Sequence, residues 1–334
     1  VMRRLAKTSA SVMLALPLAG CDGSQSALDA HGASAIELKQ LIIVIVAVCS
    51  VVWMLVMVAL IGALWRNRPA LRPPASPSAE RRMTIATIAA VVATTIIISG
   101  FTVMSFIATR ALAVAGNHDL TIRVRGLQWW WSVEYLGTSA ERFETANEIH
   151  IPVGRNVRLK LEGVDVIHSF WVPSLAGKQD LVPGRNNELT IRAERVGIYR
   201  GQCAEYCGMQ HAHMALLVVA DSQDDFDKWA AAQRQAANPP AEEELAAGRQ
   251  TFLAKPCAAC HTIRGTDASG KTGPDLTHVG SRRTIAAGLF ETTRGSLAAW
   301  IADPQTIKPG NNMPVVPLTP DELRSVSAYM ASLK

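Results

Sequence analysis

The sequence predicts a multi-domain membrane protein: a two-helix transmembrane hairpin, then a β-sandwich or barrel, then a small all-α domain. Three observations carry this prediction. Two uncharged apolar runs, residues 41–65 and 83–109, lie close together near the N-terminus. Residues 119–221 alternate apolar and polar positions with period two. Beyond Asn238-Pro239-Pro240 the composition turns alanine-rich and helical.

The chain has 334 residues, enough for more than one domain, and 49% of them are hydrophobic. Lys and Arg number 33 against 28 Asp and Glu, a formal charge of +5. The excess is local. Residues 1–82 hold nine Lys/Arg and four Asp/Glu, whereas residues 83–334 hold 24 of each. The basic balance belongs to the N-terminal region and one loop, so it gives no reason to expect nucleic acid as a partner.

The first element is a signal. In MRRLAKTSASVMLALPLAGC a charged start (Arg3, Arg4, Lys7) precedes a short apolar run ending in small residues, the pattern of a cleaved secretion signal over residues 1–21. Its last four residues, LAGC, resemble the bacterial lipobox, which implies lipidation at Cys21. The hairpin follows over residues 36–110. Its two runs of 25 and 27 uncharged residues each exceed the roughly 20 needed to cross a bilayer core of about 30 Å. Between them lies RNRPALRPPASPSAERR, with five arginines and four prolines. A short Arg-rich loop stays cytoplasmic, so both outer ends face the other side, in agreement with the secretion signal.

In the β-region, predicted over residues 115–222, Ile122 and Val124, then Val157, Leu159 and Leu161, then Leu189 and Ile191 alternate with polar residues. Turn signals stand at Pro152-Val153-Gly154 and Pro183-Gly184. GQCAEYCGMQHAHM, residues 201–214, sits between two strand-like runs and reads as a loop. Cys203, Cys207 and His211 would share a helix face, but Gly201 and Gly208 interrupt it. A Cys203–Cys207 disulfide suits an oxidising compartment, yet leaves His211 and Met214 without a role. Thiolate, imidazole and thioether together suit copper.

C-x-E-x-C-x-x-x-H-x-x-M resembles the binuclear copper loop of cytochrome c oxidase subunit II. The resemblance implies a cupredoxin-like domain in which Cys203 and Cys207 bridge two coppers. His211 and the upstream His168, in VIHSFWVPSL, would supply one imidazole each, Met214 its thioether and Glu205 its backbone carbonyl. It further implies that the Glu205 side chain ligates magnesium at the interface with subunit I, which AGKQDLVPGR resembles a segment facing. In GLQWWWSVEY it implies that Trp129 is the surface point where electrons are accepted; anchoring of Trp129, Trp130 and Trp131 at the membrane interface is the alternative. The family's glutamate at the start of the second membrane helix has no counterpart, because Met83 stands there.

A short helix and linker are expected over residues 223–241, and a last domain over 242–334. CAACH, residues 257–261, is the C-x-x-C-H pattern of covalent c-type haem attachment: two thiols for the vinyl groups and an imidazole beneath the iron. With Gly273-Pro274-Asp275-Leu276 and the later NNMP, the region resembles a class I cytochrome c. The resemblance implies thioethers at Cys257 and Cys260 and axial ligands at His261 and Met313. Met330 is the alternative distal ligand, in a helix whose start carries the capping box Thr319-Pro320-Asp321-Glu322. His278 is expected beside a haem propionate or on the surface.

Together these resemblances imply subunit II of a bacterial haem-copper cytochrome c oxidase in the plasma membrane, with its copper and haem domains on the periplasmic side. Electrons would come from a soluble or membrane cytochrome donor, pass from haem c to the copper pair, and leave to subunit I. There O2 is reduced to water with proton translocation. The other subunits and the lipid bilayer complete the partners. Rival readings are the electron-accepting subunit of a nitric oxide reductase type enzyme, a lipid-anchored copper chaperone and a quinol oxidase subunit. The haem signature speaks against the chaperone and the intact ligand set against the quinol enzyme.

Overall fold

A computed structural model describes residue 23 and residues 25–65, 76–113 and 120–334. The signal segment, Cys21 and residues 66–75 of the Arg-rich loop lie outside the described residues. The chain divides into two units: Ile36–Ala115, and the remainder.

The first unit holds two long helices, α1 (Ala33–Trp65) and α2 (Pro77–Ala113). Both run longer than their apolar stretches, because helix continues into polar flanks such as Glu37-Leu38-Lys39 and Ser78-Ala79-Glu80. Both are long and apolar enough to cross a membrane. Large side chains are exposed all round, with Val58 and Leu64 about 70% and 71% accessible. A helix apolar on every face has no preferred face to bury in a water-soluble core, and lipid satisfies it without one.

The second unit begins with ten strands in two five-stranded sheets. One has the order β3 (Phe143–Ala146), β2 (Trp130–Leu136), β1 (Leu120–Leu127), β5 (Val157–Gly163), β8 (Asn187–Ile191). The other runs β4 (Glu148–Pro152), β10 (Ala215–Asp221), β9 (Gly197–Cys203), β6 (His168–Trp171), β7 (Gln179–Leu181). The alternation in the sequence sets the inward faces: Ile122, Val124, Val157, Leu159, Leu161 and Ile191 are buried and meet Trp131, Phe170 and Val218 in one core. β2 is buried at nearly every position. Helix α3 (Gln223–Arg234), capped by Ser222, packs against β4 and β10, with its Trp229 edge-on to Tyr135 of β2 and Phe143 of β3.

A mostly helical segment completes the unit: α4 (Glu243–Ala254), α5 (Cys257–Cys260), the short strands β11 (Thr284–Ile285) and β12 (Phe290–Glu291), α6 (Arg294–Ala302), α7 (Pro304–Ile307) and α8 (Pro320–Ser332). Thr319 and Glu322 form the predicted capping box at α8. Phe252, Leu297, Val326, Tyr329 and Met330 build a second, separate core. His278 is not at the surface. It is buried, and its Nε2 donates to Gln235 O at 3.1 Å, tying the linker after α3 to the helical segment.

Candidate metal centre

The loop of residues 204–214 is fixed by strand register. β9 ends at Cys203 and β10 begins at Ala215; the Cys203 amide donates to Met214 O at 2.9 Å and closes the loop at its base. β6 pairs with β9 so that Phe170 lies opposite Cys203, and the Ala204 amide donates to Ser169 O. This register carries His168, at the start of β6, to the loop. Gly208 has φ +114°, and a Cβ there would lie 3.0 Å from Gln128 Nε2 and 3.1 Å from Trp129 Cζ2. Both backbone and space require glycine.

The two thiols stand 3.8 Å apart, far beyond a disulfide bond of about 2.05 Å, and both are free. Each has its own imidazole: His168 Nδ1 lies 4.0 Å from Cys203 Sγ, and His211 Nδ1 lies 3.6 Å from Cys207 Sγ. Met214 Sδ is 3.8 Å from Cys207 Sγ, and Glu205 O is 3.2 Å from Cys203 Sγ. The ligand atoms of His168, Cys203 and Cys207 all fall within 4.8 Å of one another. All six residues named from sequence therefore converge. A thiol pair flanked by one imidazole on each sulfur, buried and unlinked, fits two soft ions better than one.

The pair is primed to lose its first proton. The Cys203 thiol is drawn down to about 3, first by its hydrogen bond with Cys207 and then by His168, against its burial. The Cys207 thiol is pushed up by the same bond and by burial. The proton is thus shared unequally, and a cation is what would let both sulfurs ionise.

A residue not named from sequence holds His168 in place. Its Nε2 lies 2.8 Å from Asp165 Oδ1. Asp165 in turn accepts from the amides of Gln128 and Val166, both at 2.7 Å. Burial works against charge on both partners and is outweighed on both: Asp165 is held below its ordinary value by His168 and the two amides, and His168 is held above its own first by Cys203 and then by Asp165. The carboxylate occupies one ring nitrogen and leaves Nδ1 for the sulfur side. The signal was present three residues before the histidine, in DVIH.

Trp129 is not at a free surface. It is 8% exposed, and its Nε1 donates to Cys207 O at 3.0 Å, beside Gln128 Nε2 at 2.7 Å to the same oxygen. Trp131 is wholly buried, edge-on to Phe170 in the sandwich core. His213 and Met209 are exposed and stay outside the ligand set. The half-exposed Glu205 accepts from the Tyr206 amide through Oε1 at 3.2 Å.

In the helical segment, Cys257, Cys260, His261 and Met313 line one cavity walled largely by apolar side chains. His261 Nδ1 donates to Pro274 O at 2.8 Å, which leaves Nε2 as its free ring nitrogen. Burial lowers its proton affinity. A Cβ at Gly273 would stand 2.5 Å from His261 Cε1, so glycine is needed for the ring to sit there. The buried Arg282 also lines the cavity; its Nη2 donates to Asp275 O, and its Nε has no partner among the described residues. An apolar cavity with two thiols, an oriented imidazole, a thioether and a spare guanidinium N–H fits a covalent haem carrying carboxylates.

Comparisons with known proteins agree with this geometry. The family described as "Cytochrome C oxidase subunit II, periplasmic domain" matches residues 136–221, and the cytochrome c family matches residues 245–334. Cytochrome c oxidase subunit 2 of Alkalihalophilus pseudofirmus is 39% identical over 66% of this chain and 63% of its own length. The corresponding proteins of Bacillus sp. (strain PS3) and Bacillus subtilis are 31% and 33% identical over 65% and 64% of this chain, which spans 63% and 62% of theirs. The chain thus carries, in order, a region similar to the periplasmic domain of cytochrome c oxidase subunit II and a region similar to cytochrome c.

Proposed function

We propose that the chain is the electron-accepting subunit II of a bacterial haem-copper cytochrome c oxidase. It takes electrons from a cytochrome donor and delivers them to subunit I for reduction of O2 to water coupled to proton translocation. The observation that carries this reading is the pairing of centres in one chain. Two free thiols 3.8 Å apart, each beside its own imidazole, share a unit with a cavity that holds a C-x-x-C-H motif.

When bound, a copper pair and a covalent haem supply reversible one-electron chemistry, which demands no nucleophile, general acid or general base. The chain's residues position, insulate and tune. Cys203, Cys207, His168, His211, Met214 and the Glu205 carbonyl would hold the copper pair. Cys257 and Cys260 would form the thioethers, and His261 and Met313 would hold the iron. The bond from His261 to the Pro274 carbonyl enriches the imidazole, and an imidazole and a thioether as the iron's two protein ligands would favour a high potential. Trp129, hydrogen-bonded to the Cys207 carbonyl, is the residue through which electrons reach the copper loop. The Glu205 carboxylate is a magnesium ligand at the interface with subunit I. The helical hairpin anchors the chain in the plasma membrane with both domains on the periplasmic face, and Cys21 carries the lipid.

Metal analysis and a haem stain after denaturing electrophoresis, on the full chain purified in detergent, test the proposal. The expected result is two coppers and one covalent haem per chain. One copper together with a Cys203–Cys207 disulfide would overturn the binuclear assignment.

A further inference from the structure

Lys308 lines the cavity of the helical segment but belongs to neither ligand set, and it is 3% exposed. Its Nζ donates to Trp129 O and His213 O, both at 2.7 Å, and to Ala286 O at 3.3 Å. The first two acceptors belong to the sandwich domain and the third to the haem domain. Among the described residues its hydrogen-bond partners are carbonyl oxygens alone. An ammonium with three donors is the side chain that satisfies such a cluster, whereas an apolar residue would take this donor from all three carbonyls, one of them buried.

The surroundings repeat the pattern. Gln210 Nε2, in the copper loop, donates to Pro309 O at 2.8 Å. The Ala215 amide, just past Met214, donates to Ala287 O at 3.0 Å, and the Arg283 amide donates to Glu148 Oε2 at 2.8 Å. The segment that presents Lys308 is itself pinned: Asn311 Nδ2 donates to Pro304 O and Lys308 O, and Gln305 Nε2 donates to Asn311 O and Met313 O. Gln128, Trp129 and Trp130 of the sandwich domain form part of the haem cavity wall. Trp129, itself part of this wall, is held by Cys207 O at its ring nitrogen and by Lys308 at its carbonyl.

We propose that Lys308 is a clamp between the two domains of this one chain, docking the haem-domain segment 304–313 onto the copper loop and fixing Trp129 between the cavity and Cys207. It is a positioning residue. Its purpose rests on the function proposed above, but the docking itself does not. Burial draws the lysine down to about 7, against the pull of charge at Cys207, so the clamp sits at a site that disfavours a bare cation and is held by its carbonyl partners.

Hydrogen exchange on the full chain in detergent tests the clamp, with the amides of Ala215 and Arg283 as reporters because their acceptors lie across the domain boundary. In Lys308→Met, both reporters should exchange on the order of ten-fold faster or more, from the loss of buried donor bonds. Amides of β1 and β5, and of α4 and α8, should keep their protection. Reporters unchanged while both cores stay protected would overturn the clamp. If Lys308→Met loses core protection, Gln210→Ala carries the test: it removes the neighbouring bond to Pro309 O, leaves no charge buried, and should loosen the same reporters to a smaller degree. Unchanged reporters there would count equally against docking through this face. Copper and haem contents on the same samples report separately on the assigned centres, which can fail without the docking failing.

Discussion

Met313 and Met330 both border the haem cavity, but the chain holds them differently. Met330 is fully buried in α8 and packs in the core with Phe252 and Tyr329. Met313 is half-buried on a loop, its amide donating to Asn311 Oδ1 at 2.7 Å and its carbonyl accepting from Gln305 Nε2. A loop methionine held by its backbone has a thioether free to ligate, whereas Met330 is needed for packing. Met313→Ala should therefore convert a low-spin haem into one that binds added ligands such as cyanide, read from the absorption spectrum. An unchanged spectrum, with the conversion appearing in Met330→Ala, would contradict the assignment. At this scale the sequence was informative wherever chemistry is written as short-range spacing: C-x-x-x-C-x-x-x-H and C-x-x-C-H name their residues directly. Lys308 and Gln128 were invisible, because nothing local distinguishes a lysine on the surface from one whose three carbonyl partners come from three distant segments.

Among the elements, the strands that alternate in sequence are the ones whose two faces differ, as in β1 and β5. β2, buried on nearly every residue, shows no alternation, and β3, β6 and β7 are too short to display any period. β6 was legible only through His168. The junction of β4, β10 and α3 is built around His150, which stacks on Trp229 with ring centroids 4.0 Å apart. Its Nδ1 lies 2.6 Å from Asp221 Oδ2 and its Nε2 lies 3.1 Å from Glu148 Oε1. Burial opposes the imidazolium, but the two carboxylates outweigh it and raise the histidine above its ordinary value. The fold therefore binds this proton more tightly than the unfolded chain does. Its contribution is complete below about pH 6.5 and is lost as pH rises through the higher folded value. Between about pH 6 and pH 8 the thermal midpoint of the wild type should fall relative to that of His150→Gln. Parallel profiles would show that the cluster holds no excess proton.

For the whole molecule, the order of parts is what composition could already reveal: a charged start, two apolar runs around an Arg-rich turn, an alternating region, then an alanine-rich one. How the last two domains meet was not legible, since the contacts at Lys308, Gln210, Ala215 and Arg283 join residues far apart in the chain. Their meeting also changes the setting of Trp129. A residue expected at the surface is buried where the helical domain meets the sandwich. The central claim is that residues 203–214 with His168 would hold a pair of coppers, and paramagnetic resonance of the oxidised full chain tests it most directly. The account predicts hyperfine structure from two equivalent copper nuclei coupled to a single unpaired electron. Hyperfine structure from one copper nucleus alone would contradict it.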